Sequence, residues 1–474
     1  MHTTNLLCPV SIGRVSVART QLYSFQRQTV RAVEAFEGRA ALVLDPGLGK
    51  TICTLSFLAR NPHALPAVVV CPAAVKYVWE HEAITHAGRR VVVCEGQSPP
   101  ERNMLPGGAD IYVVNYDILK YWVNFLRQVN PQTIIYDECQ ALINRGSKRT
   151  KAARKLAAEA PHVLALSGTP LMNRPAELWP TLNIVRPDLY PSFWGFAQEF
   201  CKPTKRPWGW EYKGATNLDV LHRSLLTNLM IRHRKADVLQ GLPAKMREVV
   251  PCPLKGEAEE EYRKASLDFL TWLRQQDTTK FVSAKKAAAM TQIGYLLRLV
   301  AKLKFRQVAE WANAFLEDSD EKLVLFAYHK KMIQALQRRV AGKAVVIDGS
   351  VTGRARAAAV AQFQKDASTR VAICQLHAAG VGITLTAAST VAFTEVWWRP
   401  SDHLQAADRC HRIGQDQTVW EHWLVAPNTI EEKLCRVLEE KQGVLSAVMD
   451  GGEQTSDLDV FSRLMQVVQT EGMS

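Results

Sequence analysis

ALVLDPGLGKTICTLSFLAR, Ala41 to Arg60, is the stretch that decides how this chain folds. It opens as a short apolar β-rich run, turns through a glycine-containing loop, and continues as TICTLSFLAR, which suits a helix. A strand, a glycine loop and a helix in that order make a phosphate cradle, because loop and helix N-terminus present backbone N–H groups to an anion. The strict G-x-x-x-x-G-K-T pattern is not met, since Leu44 stands at its first glycine position. What remains is Asp45 at the loop entry, Gly47, Leu48 and Gly49 for close backbone approach, Lys50 for charge, and Thr51 for a magnesium-binding hydroxyl. A glycine-containing turn also arises incidentally, so the surroundings must decide.

Working outward, further apolar runs follow at Ala67 to Cys71, Ile111 to Asn115, Thr133 to Asp137 and Val163 to Ser167, alternating with helical patterns. That alternation predicts an α/β fold with a parallel sheet. A second set starts at Lys322, Ala344, Arg370 and Thr390, which predicts a second α/β domain. The expected organisation is an N-terminal α/β lobe over 1–235 with a Pro/Trp-rich insertion at about 186–230, and a linker with a helical insertion over 236–316. A C-terminal lobe over 317–449 and a tail over 450–474 complete it.

With 474 residues and 47% hydrophobic content, the chain can bury large cores. No run approaches a membrane span and the start lacks a signal-peptide pattern, so a soluble, membrane-free protein is expected. Ten cysteines without one C-x-x-C pair read as reduced core residues. A net charge of +13, from 59 basic against 46 acidic side chains, suits a polyanionic partner, although a merely basic protein carries the same balance.

Asp137 and Glu138 close the run TIIYDE, where ligands of open α/β sheets gather. Asp137 can hold magnesium and Glu138 can polarise an attacking water; without the phosphate loop, they would read as an exposed acidic pair. Ser167, Gly168, Thr169 and Pro170 form a polar turn that senses nucleotide or caps a helix. Gln26, in LYSFQRQTV, has an amide able to read an adenine edge, or simply to be solvated. Far downstream, QAADRCHRIGQ (Gln405 to Gln415) sets Arg409 and Arg412 three residues apart, which on a helix puts both guanidiniums on one face, suited to phosphoryl-transfer charge.

Other residues carry two readings each. Trp208, Trp210 and Tyr212 interleave with Lys202, Lys205, Arg206 and Lys213, a pattern that stacks on a nucleic-acid strand or pins a loop to a core. Arg232, Arg234 and Lys235 bind phosphate or form a charged linker surface. Trp397 and Trp398 read as packing, with Glu395 and Arg399 as solvent or cleft groups. The twelve histidines show no metal spacing, and His81, His86 and His411 carry no assigned role.

The ordered series Gln26, DPGLGKT, CPAAVKYVWEHE, DECQ, LSGTP, IDGS, GVGITLTAAS and QAADRCHRIGQ resembles the Swi/Snf-related ATPases of helicase superfamily two over nearly the whole chain. RPAELW, WGWEYKGATNL and LPAK look most like the HARP-type annealing helicases and their zinc-finger-bearing relatives. The resemblance implies two RecA-like lobes whose cleft binds ATP and Mg2+. Lys50, Thr51, Asp137 and Glu138 would face Arg409 and Arg412, with Gln26, Asp45, Gly47, Leu48, Gly49 and Gly382 on the nucleotide. It places nucleic acid against Pro72, Lys76 and Trp79, against Asn115 and Tyr116, against Ser167 and Thr169, and against the Gly380 to Thr386 loop including Thr384.

The implied function is an ATP-dependent, DNA-stimulated translocase on double-stranded or forked DNA that anneals or remodels DNA structures. Its alternatives are a motor subunit of a restriction, defence or repair complex and a non-catalytic DNA-binding scaffold. The HRIGQ ending disfavours an RNA helicase. Two departures stand out: Cys139 and Gln140 replace a small residue and His, and His233 replaces a second Arg. No appended HARP, zinc-finger, histone-reading or nuclease module is expected. Substrate choice is therefore expected from the core, a short insertion or a recruiting protein. A monomeric core is expected, cytoplasmic in a bacterial or phage source and nuclear in a eukaryote.

Overall fold

The computed structural model describes residues 20–99, 108–168, 174–207, 209–212, 214–239, 241–275, 283–351, 353–379, 382–449 and 460–471. The first sheet takes β1 (Arg39–Leu44), β2 (Ala67–Cys71), β3 (Val91–Val93), β4 (Ile111–Asn115), β5 (Thr133–Asp137) and β6 (His162–Ser167). A separate antiparallel hairpin, β7 (Thr204–Arg206) and β8 (Gly209–Glu211), precedes β9 (Met230–His233). The first sheet is seven-stranded and parallel, in the order β3-β4-β2-β5-β6-β1-β9.

The second sheet is six-stranded and also parallel. It contains β10 (Lys245–Pro251), β11 (Leu323–Ala327), β12 (Lys343–Ile347), β13 (Thr369–Gln375), β14 (Thr390–Phe393) and β15 (Val419–Val425), ordered β10-β15-β14-β11-β13-β12. Two mixed α/β lobes with parallel sheets result.

Side chains alternate across each strand, and helices cover both faces, so both faces bury apolar surface. Ala41 and Val43 of β1 join one core, while Ala40, Leu42 and Leu44 join the opposite one. In β11, Val324 and Phe326 point one way and Leu323 and Leu325 the other. The nine described cysteines are all buried thiols within these layers. Among the described residues no helix is long and apolar enough to cross a membrane.

The stretch expected to be a linker is more integrated than its composition suggests. β10 (KMREVVP) pairs with β15 along its whole length at the second sheet's edge. The helices Glu257–Arg274, Ser283–Leu303 and Phe305–Asp318 replace one long helical run, and Phe269, Leu273, Ile293 and Leu296 share a core with Phe326 and Phe393. β10 and the described core residues of these helices therefore pack with the second sheet.

One ion pair ties these helices to that lobe's far end. Lys304, fully buried, holds both Glu431 carboxylate oxygens at 2.7 Å, and Glu431 also accepts from the Val396 and Ala426 N–H groups. Removing one member of a buried pair strands the other charge, which costs about 3–5 kcal/mol. Lys304→Met is expected to lower the stability of the second lobe by about that amount in urea unfolding, and Lys304→Met with Glu431→Gln to recover much of it. An unshifted midpoint in the single variant would rule out this role.

Candidate active site

The phosphate loop leaves β1 at Leu44. Gly47 and Gly49 both adopt left-handed backbone, at φ 90° and 83°. Left-handed backbone strains any residue with a Cβ, and here space forbids one as well. A Cβ on Gly47 would lie 2.6 Å from the Arg412 Cβ, and one on Gly49 2.6 Å from the Gln26 amide nitrogen. The helix Lys50–Arg60 starts without a side-chain cap, so its first N–H groups face the loop. Lys50 donates from Nζ to the Leu44 carbonyl at 2.8 Å; burial pushes its pKa down, with Glu138 and Asp137 opposing.

Gln26, on the helix Ser24–Ala35, and Asp45, at the loop entry, both brace the phosphate loop. Gln26 accepts from the Tyr23 N–H and donates to the Leu48 carbonyl at 3.1 Å, so its buried amide braces the loop. Asp45 accepts from Arg232 at 2.8 Å and from the Lys235 N–H at 2.9 Å, fixing the loop entry to the strand end at β9. Leu48 is buried in the core, and Thr51 is half-buried at the helix start.

Asp137 and Glu138 end β5. Burial and the neighbouring Glu138 push Asp137 up to about 6, against the Trp79 indole N–H, which donates to its Oδ2 at 2.8 Å. Tyr116 donates from its hydroxyl to the Asp137 carbonyl at 2.9 Å. Glu138 sits at φ 52°, a left-handed conformation that non-glycine residues adopt only when their surroundings impose it. Gln140 donates to the Glu138 carboxylate at 2.5 Å and accepts from the Ser167 hydroxyl at 2.9 Å, joining the ends of β5 and β6.

From the second lobe come Arg409 and Arg412. They do not share a helix: Pro400–Ala407 ends before them, and Arg409, Cys410 and His411 form a turn on the Ala406 and Ala407 carbonyls. The turn still delivers both to one place. Arg412 donates to the Thr384 hydroxyl at 2.8 Å and the Ile383 carbonyl at 3.2 Å. Burial, then Arg409, pushes its pKa down to about 9. Burial also lowers Arg409, with Glu138 across the cleft as the leading opposing charge. Lys50, Asp137, Glu138 and Arg409 thus share one electrostatic neighbourhood spanning both lobes.

A second cross-cleft cluster escaped the sequence reading, which left Arg232, Arg234 and Lys235 between phosphate binding and a charged surface. Lys235 lies 2.8 Å from the Asp408 carboxylate and donates to the His411 carbonyl at 2.5 Å. Lys245 sits 3.4 Å from Asp408 and 3.2 Å from Glu421, and the His411 ring meets the Pro243 carbonyl at 2.8 Å. Burial works against ionising Asp408, but Lys245 and Lys235 outweigh it and hold its carboxyl below the ordinary range. The aspartate directly before Arg409 was the available signal.

Most side chains expected to face nucleic acid point inward. Trp79 is 1% exposed on Asp137; Lys76 is buried and donates to the Cys94 carbonyl; Asn115, Tyr116 and Ser167 are buried. Asn115, Tyr116 and Ser167 stand at the carboxyl ends of strands and Lys76 and Trp79 on the helix Lys76–Ala87, and each packs or hydrogen-bonds within the first lobe. Pro72 is half-buried, and Thr384 is half-buried against Arg412. Gly382, expected at the nucleotide, stands at a contact between lobes: at φ 75° its Cβ would fall 2.3 Å from Val75 Cγ1. Thr169 and Gly380 lie outside the described residues.

Comparison with known proteins identifies the family. A profile of the SNF2-related domain matches residues 35–334, and one of the helicase conserved C-terminal domain matches 304–414. The Xenopus tropicalis SWI/SNF-related matrix-associated actin-dependent regulator of chromatin subfamily A-like protein 1 is 34% identical over 93% of this chain and 47% of its own length. The human DNA annealing helicase and endonuclease ZRANB3 is 30% identical over 92% of this chain and 41% of its own. The chain thus spans about half the length of these curated relatives. A Sulfolobus solfataricus SWI2/SNF2 ATPase core in complex with dsDNA aligns over 97% of this chain and 98% of its own, at 22% identity and a TM-score of 0.45. With more than half of its length matched by the first of these profiles, the chain belongs to the SNF2-related family.

Proposed function

We propose that this chain is an ATP-hydrolysing motor acting on double-stranded or forked DNA, annealing or remodelling DNA structures. The observation that carries this reading is the convergence of Lys50, Asp137 and Glu138 with Arg409 and Arg412 across one cleft. The residues fit a magnesium nucleotide. Loop glycines too crowded for a Cβ leave only backbone to line the cradle, Lys50 places its ammonium on a carbonyl, and Asp137 is a half-buried carboxyl with a raised pKa that a cation would favour ionising. Lys50, Thr51 and Asp137 would hold the nucleotide and its metal, and the metal would supply neutralisation of charge developing on the transferring phosphoryl group. Glu138 would orient and deprotonate the attacking water, held in place by Gln140. Arg409 and Arg412 would stabilise equatorial charge from the opposite side.

Lys235 would set when those arginines are in place. It is anchored at Asp45 through its N–H and grips Asp408, the residue before Arg409, through its ammonium. Loop and arginine turn are thereby one linked unit in this closed arrangement. The DNA assignment also draws on the +13 net charge and on relatives whose names include DNA annealing helicase.

Lys50→Ala is expected to reduce ATP turnover to background while salt-sensitive duplex binding persists; normal hydrolysis by the purified variant would refute the nucleotide-site assignment. Wild-type hydrolysis, assayed at fixed salt, should rise with duplex or forked DNA more than with RNA, and no response to any nucleic acid would sink the motor reading.

A pH profile tests the latch. Burial pushes Lys235 down to about 8, so its ammonium is present below that pH and lost above it. Between about 8 and the ordinary lysine value the unfolded chain binds more protons, so global stability rises there while the grip on Asp408 loosens. Activity, not melting, is therefore the readout. Turnover at saturating ATP should fall above about pH 8, Lys235→Arg should carry activity to higher pH, and Lys235→Ala should lower kcat about 10-fold or more with little change in KM. Identical profiles for wild type and the Arg variant would exclude the latch.

A further inference from the structure

The hairpin β7–β8 pairs only with itself and stands apart from the first sheet. Its base and its outer part are built differently. Tyr212, following β8, meets Phe193 edge-on at 4.8 Å, and both pack against the first-lobe core. Arg145, on the segment that follows Glu138 and Gln140, lies 3.7 Å over the Phe193 ring. Farther out, Trp194 and Trp210 meet each other edge to face at 4.9 Å and remain 38% and 46% exposed. In an edge-to-face pair, the ring contributing its edge has neither face covered by its partner. Lys202, Lys205 and Arg206 around the pair are exposed, and Arg206 alone of the three has an acidic neighbour among the described residues, Glu211 at 3.2 Å.

We propose that Trp194 and Trp210 form a stacking platform for an unpaired DNA base where duplex meets single strand, with Lys202 and Lys205 tracking the adjoining phosphates. The proposal deepens the DNA-motor reading and rests on it. An intact duplex hides its base faces, so an aromatic face beside cations suits a splayed or frayed base. A protein partner is less suited, since lysine is depleted from the buried centres of protein interfaces. The anchorage through Phe193, Tyr212 and Arg145 ties the platform to the segment leaving Glu138, so a base held there would bear on the first lobe's side of the cleft.

The test measures affinity without nucleotide, at one salt concentration. The probes are a blunt duplex and the same duplex with a single-stranded arm carrying 2-aminopurine at its first unpaired position. Stacking is worth about 1–3 kcal/mol per base, so Trp210→Ala should weaken arm-bearing DNA by about 5- to 100-fold, abolish 2-aminopurine quenching, and leave blunt duplex affinity unchanged. Trp210→Phe should restore most of both, which separates stacking from a folding defect. Equal weakening on both DNAs, or unchanged affinity for both, overturns the platform; the latter outcome assigns the pair to a protein contact or to packing. Loss of quenching confined to Trp210→Ala in a chain that hydrolyses no ATP supports the platform and overturns the motor reading alone. Duplex-stimulated hydrolysis with fork binding indifferent to Trp210 does the reverse.

Discussion

The arrangement of this molecule turns on keeping two neighbouring guanidiniums out of water. Arg409 and Arg412 are burdened by burial and by each other, and like charges in a low-dielectric cleft repel far more than at a surface. The second lobe offers them Asp408, but that carboxylate is already shared by Lys235 and Lys245. Arg409 finds its remaining compensation in Glu138 and Asp137 on the other lobe, and Arg412 in Glu82. Around the cleft stand Lys50, Arg232, Lys235, Lys245, Arg409 and Arg412 against Asp45, Asp137, Glu138, Asp408 and Glu421. Glu82, whose charge also reaches Arg412, makes the carboxylates as numerous as the cations, so the cleft is balanced only when both lobes contribute.

Steric fit reinforces that electrostatic demand at two glycines. Arg412 rests on Gly47, and Gly382 rests on Val75, each with no room for a Cβ. Contacts this close make the lobe interface sensitive to small displacements, because packed surfaces do not deform gradually. A shift of the phosphate loop is therefore felt at the arginine turn through Gly47 directly and through Asp45, Lys235 and Asp408 indirectly.

How much of this could be read beforehand depended on what kind of signal each feature left. The uniform apolar runs of β2, β4 and β5 were legible to the residue, because strands buried on both faces carry no other pattern. β10 and β15 were not, since Arg247, Glu248, Glu421 and His422 interrupt their apolar content. The phosphate loop, the carboxylate pair and the two arginines stood out by residue type. Their supports did not: Trp79, Tyr116 and Gln26 look like ordinary or ligand-facing residues until the fold turns them inward. Local spacing also misled at Arg409 and Arg412, which a turn rather than a helix brings together.

The departure at Gln140 shows how a substitution can keep a connection and change its nature. Gln140 spans the Glu138 carboxylate and the Ser167 hydroxyl, donating to one and accepting from the other. An imidazole in that place could do the same, but it could also take up a proton near neutral pH and become a double donor. An amide has no such second state. The bridge in this chain therefore conveys position between the ends of β5 and β6 without conveying charge. The groups of the cleft whose protonation shifts toward neutrality are instead Asp137, pushed up to about 6 by burial and Glu138, and Lys235, pushed down to about 8 by burial.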